Sequence, residues 1–326
     1  MTTCIPETSY FATPEFLSLA LHSWIIISYT PTTMSSVNWP MLNLHFWSSF
    51  FDISISFFTI PFVLFPAIAG YPLGFLSRFG WTVGAQCHAI VLLIAVVIVS
   101  ILTVYENRYF LLSRNDGLWK RIRTLYILMS YFLAFSFMFP FSMLVPEQVE
   151  AVKTVFESLP CLPQYVYEGP VFVYTLNFLP IFLTVVSLLF VAVLAIVIFI
   201  SLTVRSLLEI TRKNLASSKT LRLQKKFLFG LVIQTTIPIL VVFTPCLYLI
   251  VCLPQGYYNQ AANNFFFITF SLHGILSTRS MLLMHQPYRI ATFYILFPCC
   301  LRTSEDTVNT TMVPVRKSTR VECAAN

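Results

Sequence analysis

Two ionisable side chains, Asp52 and His273, lie inside long apolar stretches, where a charge is costly and indicates a functional residue. Asp52 lies about 16 Å of helix from Met41, and His273 about 15 Å from Asn263, so both fall near the middle of a hydrocarbon core about 30 Å thick. We expect them to form an ionic or hydrogen-bonded pair whose state differs between two conformations. A static structural pair, or a protonated Asp52, is the alternative.

Catalytic motifs are absent from the sequence. It has no Gly-rich phosphate loop and no His-Glu-x-x-His, Gly-x-Ser-x-Gly or Cys-x-x-Cys motif. Its five histidines are too scattered for a metal site. We therefore expect a protein that is not an enzyme and that has no catalytic, metal-binding or cofactor-binding residues.

Apolar stretches must position the two ionisable residues. The chain is 57% hydrophobic and only 10% charged, whereas soluble domains carry about 25% charged residues. An apolar stretch of about 20 residues crosses a bilayer as a helix. We therefore predict an all-α polytopic membrane protein in which residues 1–300 form a seven-transmembrane helix bundle. The predicted spans are residues 14–30, 42–67, 83–105, 124–145, 171–204, 227–253 and 264–284.

The basic residues indicate the orientation of the bundle. All but three of the 20 Lys and Arg residues lie at 106–123, at 205–226 or after residue 284, and the exceptions are Arg78, Lys153 and Arg279. Short cytosolic loops collect Lys and Arg, so these three regions and the C-terminus are predicted to be cytosolic. The net charge of +7 is thus a sign of topology, and no nucleic-acid partner is expected.

The first predicted span is short. Its apolar part, residues 16–29, gives only about 21 Å of helix. Cleavage of this part as a signal peptide would place every basic loop outside, so we exclude that interpretation. Either a short or tilted first span leaves the N-terminus outside, or the chain has six spans with the N-terminus inside. We favour seven spans.

Seven spans with an external N-terminus are typical of G-protein-coupled receptors. Cys87, near the external end of the third span, and Cys161, in an acidic external loop, can form a disulfide in an oxidising compartment; two unpaired thiols are the alternative. Glu106-Asn107-Arg108, at the cytosolic end of the third span, is similar to the acid–arginine pair by which many such receptors latch the third and sixth helices. Alternatively, Arg108 only extends to the lipid headgroups.

Several motifs follow one another in a specific order, and in this combination the chain resembles the nematode serpentine receptors of class H, a family of chemosensory seven-span receptors. The resemblance runs from about residue 9 to residue 300. Its motifs are Leu42-Asn43-Leu44-His45-Phe46-Trp47 with Asp52, Glu106-Asn107-Arg108, Leu159-Pro160-Cys161, Leu223-Gln224-Lys225-Lys226-Phe227-Leu228, Gln234 with Pro238, His273-Gly274, and Pro287-Tyr288-Arg289.

The resemblance implies a receptor with an external N-terminus and a pocket for a small-molecule ligand among the helices. It also implies coupling to a heterotrimeric G protein, with the loops around Arg108 and Lys225-Lys226 as the contacts. Pro287-Tyr288-Arg289 would end the seventh span. The protein would lie in the plasma membrane of sensory neurons, in their cilia.

The sequence departs from the family at its start. The family usually has a fuller first helix and a following loop of the type Thr-Pro-Lys-x-Met-x-x-Val-Lys-Trp, whereas the loop at residues 30–39 has neutral residues in place of both lysines. A non-signalling relic with a truncated first helix therefore stays an alternative. A transporter or channel is a further alternative, although no internal repeat, selectivity filter or ring of charge is visible.

Three prolines within the predicted spans and the region after the seventh span also have predicted roles. Pro180 in the fifth span and Pro238 and Pro245 in the sixth are candidate hinges, because each removes a backbone donor. Residues 290–301 are predicted to form a helix on the membrane surface. Its Cys299-Cys300 pair is a candidate for palmitoylation, with idle thiols as the alternative, and residues 302–326 are expected to be a disordered cytoplasmic tail.

Overall fold

The computed structural model describes residues 24, 35–113, 117–159, 162–284, 289, 290 and 292. Long helices dominate this part of the chain, because an apolar segment satisfies its own backbone hydrogen bonds only as a helix. The helices are α1 (Ser35–Ile53, continued by π-helical Ser54–Thr59), α2 (Val83–Leu112), α3 (Gly117–Ser136), α4 (Phe139–Ser142), α5 (Gln148–Ser158), α6 (Gln164–Tyr167), α7 (Leu179–Arg212), α8 (Ser218–Gln255) and α9 (Gln260–Met284). The strands are β1 (Pro61–Val63), β2 (Ile68–Pro72) and β3 (Phe172–Thr175), and Phe75–Phe79 is a 3-10 helix.

The helical membrane class predicted from the sequence is confirmed. Among the described residues, three helical segments are long and apolar enough to cross a membrane by length and composition: Val83–Leu112, Gly117–Ser142 and Leu179–Arg212. Large apolar side chains point outward on α3 and α7, for example Phe132 and Phe190, as expected of surfaces that face lipid. Apart from Trp24, the first predicted span lies outside the described residues, so seven spans stay a prediction.

The second predicted span, residues 42–67, differs from the structure at both ends. Helix α1 already begins at Ser35, and the helical backbone ends at Thr59. Ile60 has a left-handed φ of 44°, and Pro61 has no backbone donor with which to continue the helix. The following residues form a β-hairpin. A short apolar run fits a strand as well as a helix, so the prediction of helix to residue 67 was wrong.

The fifth predicted span, residues 171–204, also begins with a strand. Strand β3 occupies Phe172–Thr175, and α7 runs from Leu179 to Arg212. Pro180 therefore lies in the first turn of α7, where a proline removes no helical hydrogen bond. This position contradicts the predicted hinge at Pro180.

The three strands form an antiparallel sheet in the order β1-β2-β3. Phe62 pairs with Tyr71, and Gly70 pairs with Phe172. A Cβ atom at Gly70 would lie 2.2 Å from the Phe62 carbonyl oxygen, so only glycine fits there. Beside the sheet, helices α5 and α6 contribute to a separate apolar cluster that includes Leu64, Val155, Val166 and Val173. We call this end of the bundle the β end.

The main core is formed by side chains of α1, α2, α7, α8 and α9. Within it, α2 packs against α1 and α7, and α9 packs against α1 and α8. At its centre, Ile101 and Leu231 are almost fully buried. Phe51 of α1 contacts Phe270 of α9 edge to face, with ring centroids 5.9 Å apart. The second and seventh predicted spans are therefore neighbours, as the proposed Asp52–His273 pair requires. We call the end at which α2 ends and α8 begins the basic end.

Candidate functional site

The motif Glu106-Asn107-Arg108 lies within α2, which continues to Leu112 beyond the predicted end of the span. All three side chains are buried, with exposures of 0%, 7% and 5%. Charged groups are seldom buried this deeply unless other groups hold them. The contacts of the motif are therefore the first candidate for a functional site at the basic end.

Glu106 binds the next helix, α3. Its carboxylate lies 2.9 Å from Arg123 Nη2 and accepts a hydrogen bond of 2.9 Å from Trp119 Nε1. The Arg123 guanidinium also lies 3.9 Å from the centre of the Phe110 ring and donates to Asn107 Oδ1 at 3.4 Å. Glu106 thus joins α2 to α3 through a charged pair.

Arg108 instead binds α8. Its Nη2 donates a hydrogen bond to Gln224 Oε1, and its guanidinium lies 4.1 Å from the centre of the Phe227 ring. The Arg108 Nε is buried and has no hydrogen-bond acceptor in the described part of the chain. A neutral amide and an aromatic face therefore hold this cation between the third and sixth predicted spans.

A second polar link joins α2 to α8, about one turn of α2 further from the basic end. The hydroxyls of Tyr105 and Thr235 lie 2.6 Å apart. Thr235 also donates to the Leu231 carbonyl oxygen within its own helix. The two helices are thus joined at two levels, both by neutral groups on the α8 side.

Aromatic packing strengthens the contact on the other side of α2. Trp119, Tyr126 and Phe199 contact one another, with centroid distances between 5.6 and 5.8 Å. Tyr109 adds contacts to Trp119 and Phe199. Helices α2, α3 and α7 therefore share one aromatic cluster beside Glu106.

Several basic side chains surround this site on the surface. Lys225 and Lys226 follow Gln224 directly, and both are exposed, as are Lys120 and Arg121 of α3. Their charges are therefore available to a partner with an acidic surface.

Asp52 is buried in the last turn of α1, directly before the π-helical segment. The Ser56 hydroxyl donates to its carbonyl oxygen at 2.7 Å. The neighbouring Phe51 contacts Phe270, which lies three residues before position 273 of α9. The His273 side chain lies outside the described residues, so the pair with Asp52 stays a prediction.

The other predicted site residues divide by position. Cys87 lies near the start of α2, at the β end, and has no disulfide partner among the described residues. Its predicted partner Cys161 lies outside the described residues, so the disulfide stays a prediction. Helix α8 runs without a break through positions 238 and 245. The side chains of Pro238 and Pro245 are not among those that the structure describes, so the hinges at these prolines stay a prediction.

At the C-terminal end, Arg289 donates to the Leu283 carbonyl oxygen at 3.4 Å. Pro287 and Tyr288 lie outside the described residues, as do Cys299 and Cys300.

A polar network between α1, α2 and α3 was missed at the sequence level. Asn43 Nδ2 lies 3.1 Å from Ser100 Oγ and 3.0 Å from the Tyr131 hydroxyl, and Trp47 Nε1 donates to Asn43 Oδ1. Asn43 and Trp47 are four residues apart within the motif Leu42-Asn43-Leu44-His45-Phe46-Trp47. That spacing places both on one face of a helix, and it was the signal that could have revealed the network.

The chain is similar in sequence to known proteins over most of its length. The model described as "Serpentine type 7TM GPCR chemoreceptor Srh" matches residues 10–298. The Caenorhabditis elegans protein "Serpentine receptor class H-72" is 25% identical over 316 residues, a match that covers 89% of this chain and 88% of the relative. The class H resemblance inferred from the motifs is thereby confirmed.

Proposed function

Because the chain belongs to the Srh family of serpentine seven-transmembrane chemoreceptors, we propose that it is a chemosensory receptor that converts the binding of a small molecule into activation of a heterotrimeric G protein. The family is a receptor family, not an enzyme family. The protein lies in the plasma membrane of sensory neurons, with its N-terminus outside and its basic end in the cytosol. The positive-inside rule supports this orientation.

One observation carries the proposal: Arg108 of α2 is held by Gln224 and Phe227 of α8. In the resting receptor this contact closes the basic end. On activation, α8 moves away from α2 and the Arg108 guanidinium becomes available to the G protein, while Lys225 and Lys226 supply long-range attraction.

The size of this contact suits a switch. A hydrogen bond to a charged group contributes about 1.5–3 kcal/mol, and a cation–π contact about 0.5–2 kcal/mol. A gap of a few kcal/mol leaves the minor state about 0.1–10% populated. A ligand with a modest preference for the open state is then able to shift the equilibrium.

Glu106 has a different part in this proposal. Its contacts with Arg123 and Trp119 keep α2 attached to α3 while α8 moves. The acid therefore stabilises the stationary half of the bundle, and the arginine holds the moving half.

The substitution Gln224→Met tests the proposal. Methionine keeps the length of the side chain but removes the acceptor for Arg108, so the resting state loses about 1.4 kcal/mol and basal activation rises about tenfold. The readout is GTP-analogue exchange on purified heterotrimeric G proteins of each major class, with the receptor in lipid nanodiscs and no ligand. Gln255→Met, an exposed position at the opposite end of the same helix, is the matched control.

Unchanged exchange on every G protein, with the variant folded, would contradict the switch. A substrate flux or an ionic current through reconstituted protein would instead favour the transporter or channel alternative. A protein that neither signals nor transports would fit a receptor relic.

A further inference from the structure

A cavity of about 470 Å³ opens at the β end, between the start of α2, the segment that leads from α4 into α5, and strand β3. Its volume falls within the range of about 300–1,000 Å³ typical of small-molecule sites. The apolar part of the lining includes Val83, Val145, Val171 and Phe172. None of the described lining residues is charged, so the cavity does not favour an ionic ligand.

Strand β3 separates the cavity from the apolar cluster of the β end. Phe172 and Tyr174 lie two residues apart and share the face of the strand that lines the cavity, whereas Val173 points into the cluster. The Phe172 ring lies against Gly84, where a Cβ atom would be 3.1 Å from its Cζ. The cavity therefore has a wall fixed by a paired strand.

Two of the polar side chains in the lining have partners and lie in contact with solvent. Thr82 caps α2 by accepting a hydrogen bond from the Ala85 amide at 3.3 Å. The Ser142 hydroxyl donates to the Phe139 carbonyl oxygen at 2.7 Å. Both residues are exposed, so water satisfies whatever capacity remains.

Gln148 is also fully engaged. Its amide nitrogen donates to the carbonyl oxygens of Pro146 and Val173, at 2.9 and 3.1 Å. Its carbonyl oxygen accepts from the Val173 amide at 2.9 Å. Gln148 therefore ties α5 to β3 and has no donor left for a ligand.

Tyr174 differs from Thr82, Ser142 and Gln148 because its polar group has no partner among the described residues. It is only 8% exposed, and its hydroxyl is buried without a hydrogen-bond partner in the described part of the chain. A buried polar group left without a partner destabilises the fold. Burial and the neighbouring Cys87 thiol raise the pKa of Tyr174, so the hydroxyl keeps its proton at neutral pH and is a donor.

We propose that this cavity binds an uncharged, mostly apolar small molecule that carries one carbonyl or ether oxygen, and that this oxygen accepts a hydrogen bond from the Tyr174 hydroxyl. The inference rests on the proposed receptor function, for which it names the ligand class and the site. The apolar walls bind the hydrocarbon part of the ligand, and Tyr174 distinguishes oxygenated molecules from plain hydrocarbons.

Menthone and its parent hydrocarbon menthane form a suitable probe pair, because they share a carbon skeleton and differ in one carbonyl oxygen. The full chain in lipid nanodiscs is heated with increasing concentrations of each probe, and affinity is obtained from the rise in Tm. We expect Tyr174→Phe to weaken menthone about three- to tenfold and to leave menthane unchanged. Without a probe, the variant should be at least as stable as the native protein, because it loses an unpartnered hydroxyl.

A second variant tests the location of the site. Val145→Trp fills the cavity and is expected to abolish stabilisation by both probes. Leu144→Trp, at the exposed neighbouring position, should leave it intact.

Three results would overturn the proposal. The first is the absence of stabilisation by menthone. The second is equal menthone affinity in the native protein and Tyr174→Phe, and the third is undiminished binding in Val145→Trp. These measurements need no G protein, and the exchange assay on Gln224→Met needs no ligand, so either proposal is able to fail while the other stands.

Discussion

The two faces of α2 at the basic end are held by different chemistry. Glu106 binds α3 through an ion pair with Arg123, while Arg108 binds α8 through the neutral Gln224 amide. Residues two positions apart on a helix point to different faces, so the acid and the arginine each take a partner from another helix. One motif therefore joins three helices, and the α2–α3 contact is the charged one.

This difference between the α2–α3 and α2–α8 contacts predicts which of the two opens. Separation of α2 from α3 would leave Glu106 buried without its cation and would disrupt the aromatic cluster around Trp119. Separation of α2 from α8 exposes one cation and one amide, and both are readily solvated by water or bound by a partner. The α2–α3 contact should therefore act as a fixed joint and the α2–α8 contact as a movable one.

The largest expected effect is a loss of stability when the α2–α3 joint is broken. Glu106→Gln removes the negative charge that faces Arg123. Loss of one partner from a fully buried pair costs about 3–5 kcal/mol; because 21% of the Arg123 side chain is exposed, we expect a loss of about 2–3 kcal/mol. Thermal unfolding in nanodiscs measures this as a lower Tm.

The same substitution at an exposed ion pair provides the control. Glu209 pairs with Lys213 on the surface of α7, and Glu209→Gln should leave Tm unchanged, because exposed pairs contribute little. Equal effects of the two substitutions would mean that the α2–α3 joint is no stronger than a surface contact.

The contact of Arg108 with a neighbouring helix was predictable from the sequence, but the partner of Glu106 was not. The similarity of Glu106-Asn107-Arg108 to the acid–arginine pair of many receptors predicts a contact between Arg108 and the sixth span, and Arg108 does contact α8. The partner of Glu106 was unpredictable, because five basic residues lie at positions 106–123 and hydropathy gives no rotational angle between helices. The neutral Gln224 carries no charge pattern to mark it.

The β end was the least predictable region. Strands β1 and β3 are short and apolar, so each was included in a predicted span, although Pro61 gave a local signal that the helix must end. The cavity beside Tyr174 is lined by residues between positions 82 and 174, which come from the start of α2, the segment from α4 into α5, and β3. A single sequence contains no record of how these elements pack together, so neither the wall nor the unpartnered hydroxyl was visible in advance.

A smaller effect, on basal G-protein exchange, is expected when the movable α2–α8 contact is strengthened. Gln224→Glu gives Arg108 a charged partner, and charge-assisted hydrogen bonds are roughly twice as strong as neutral ones. An additional stabilisation of about 1 kcal/mol would lower basal G-protein exchange about fivefold. The measurement is the ligand-free exchange assay used for Gln224→Met.

A double-mutant cycle attributes this effect to the contact itself. Because Arg108 is also a proposed contact of the G protein, the readout of the cycle is Tm in nanodiscs: Gln224→Glu should raise Tm in the native protein but not in the Arg108→Met background. A rise in Tm that persists without the arginine would mean that the new charge acts elsewhere, and the comparison between the two faces of α2 would lose its support.

The smallest effect is expected at the second level of the movable contact. Tyr105→Phe removes the 2.6 Å hydrogen bond to Thr235, but the Thr235 hydroxyl keeps its bond to the Leu231 carbonyl oxygen. No buried group is left without a partner, so the cost should fall at the low end for a hydrogen bond, about 0.5 kcal/mol, and basal exchange should rise about twofold. Tyr167→Phe, at an exposed position, is the matched control. A larger rise than that of Gln224→Met would place the main restraint on α8 at the level of Tyr105, deeper in the bundle than Arg108.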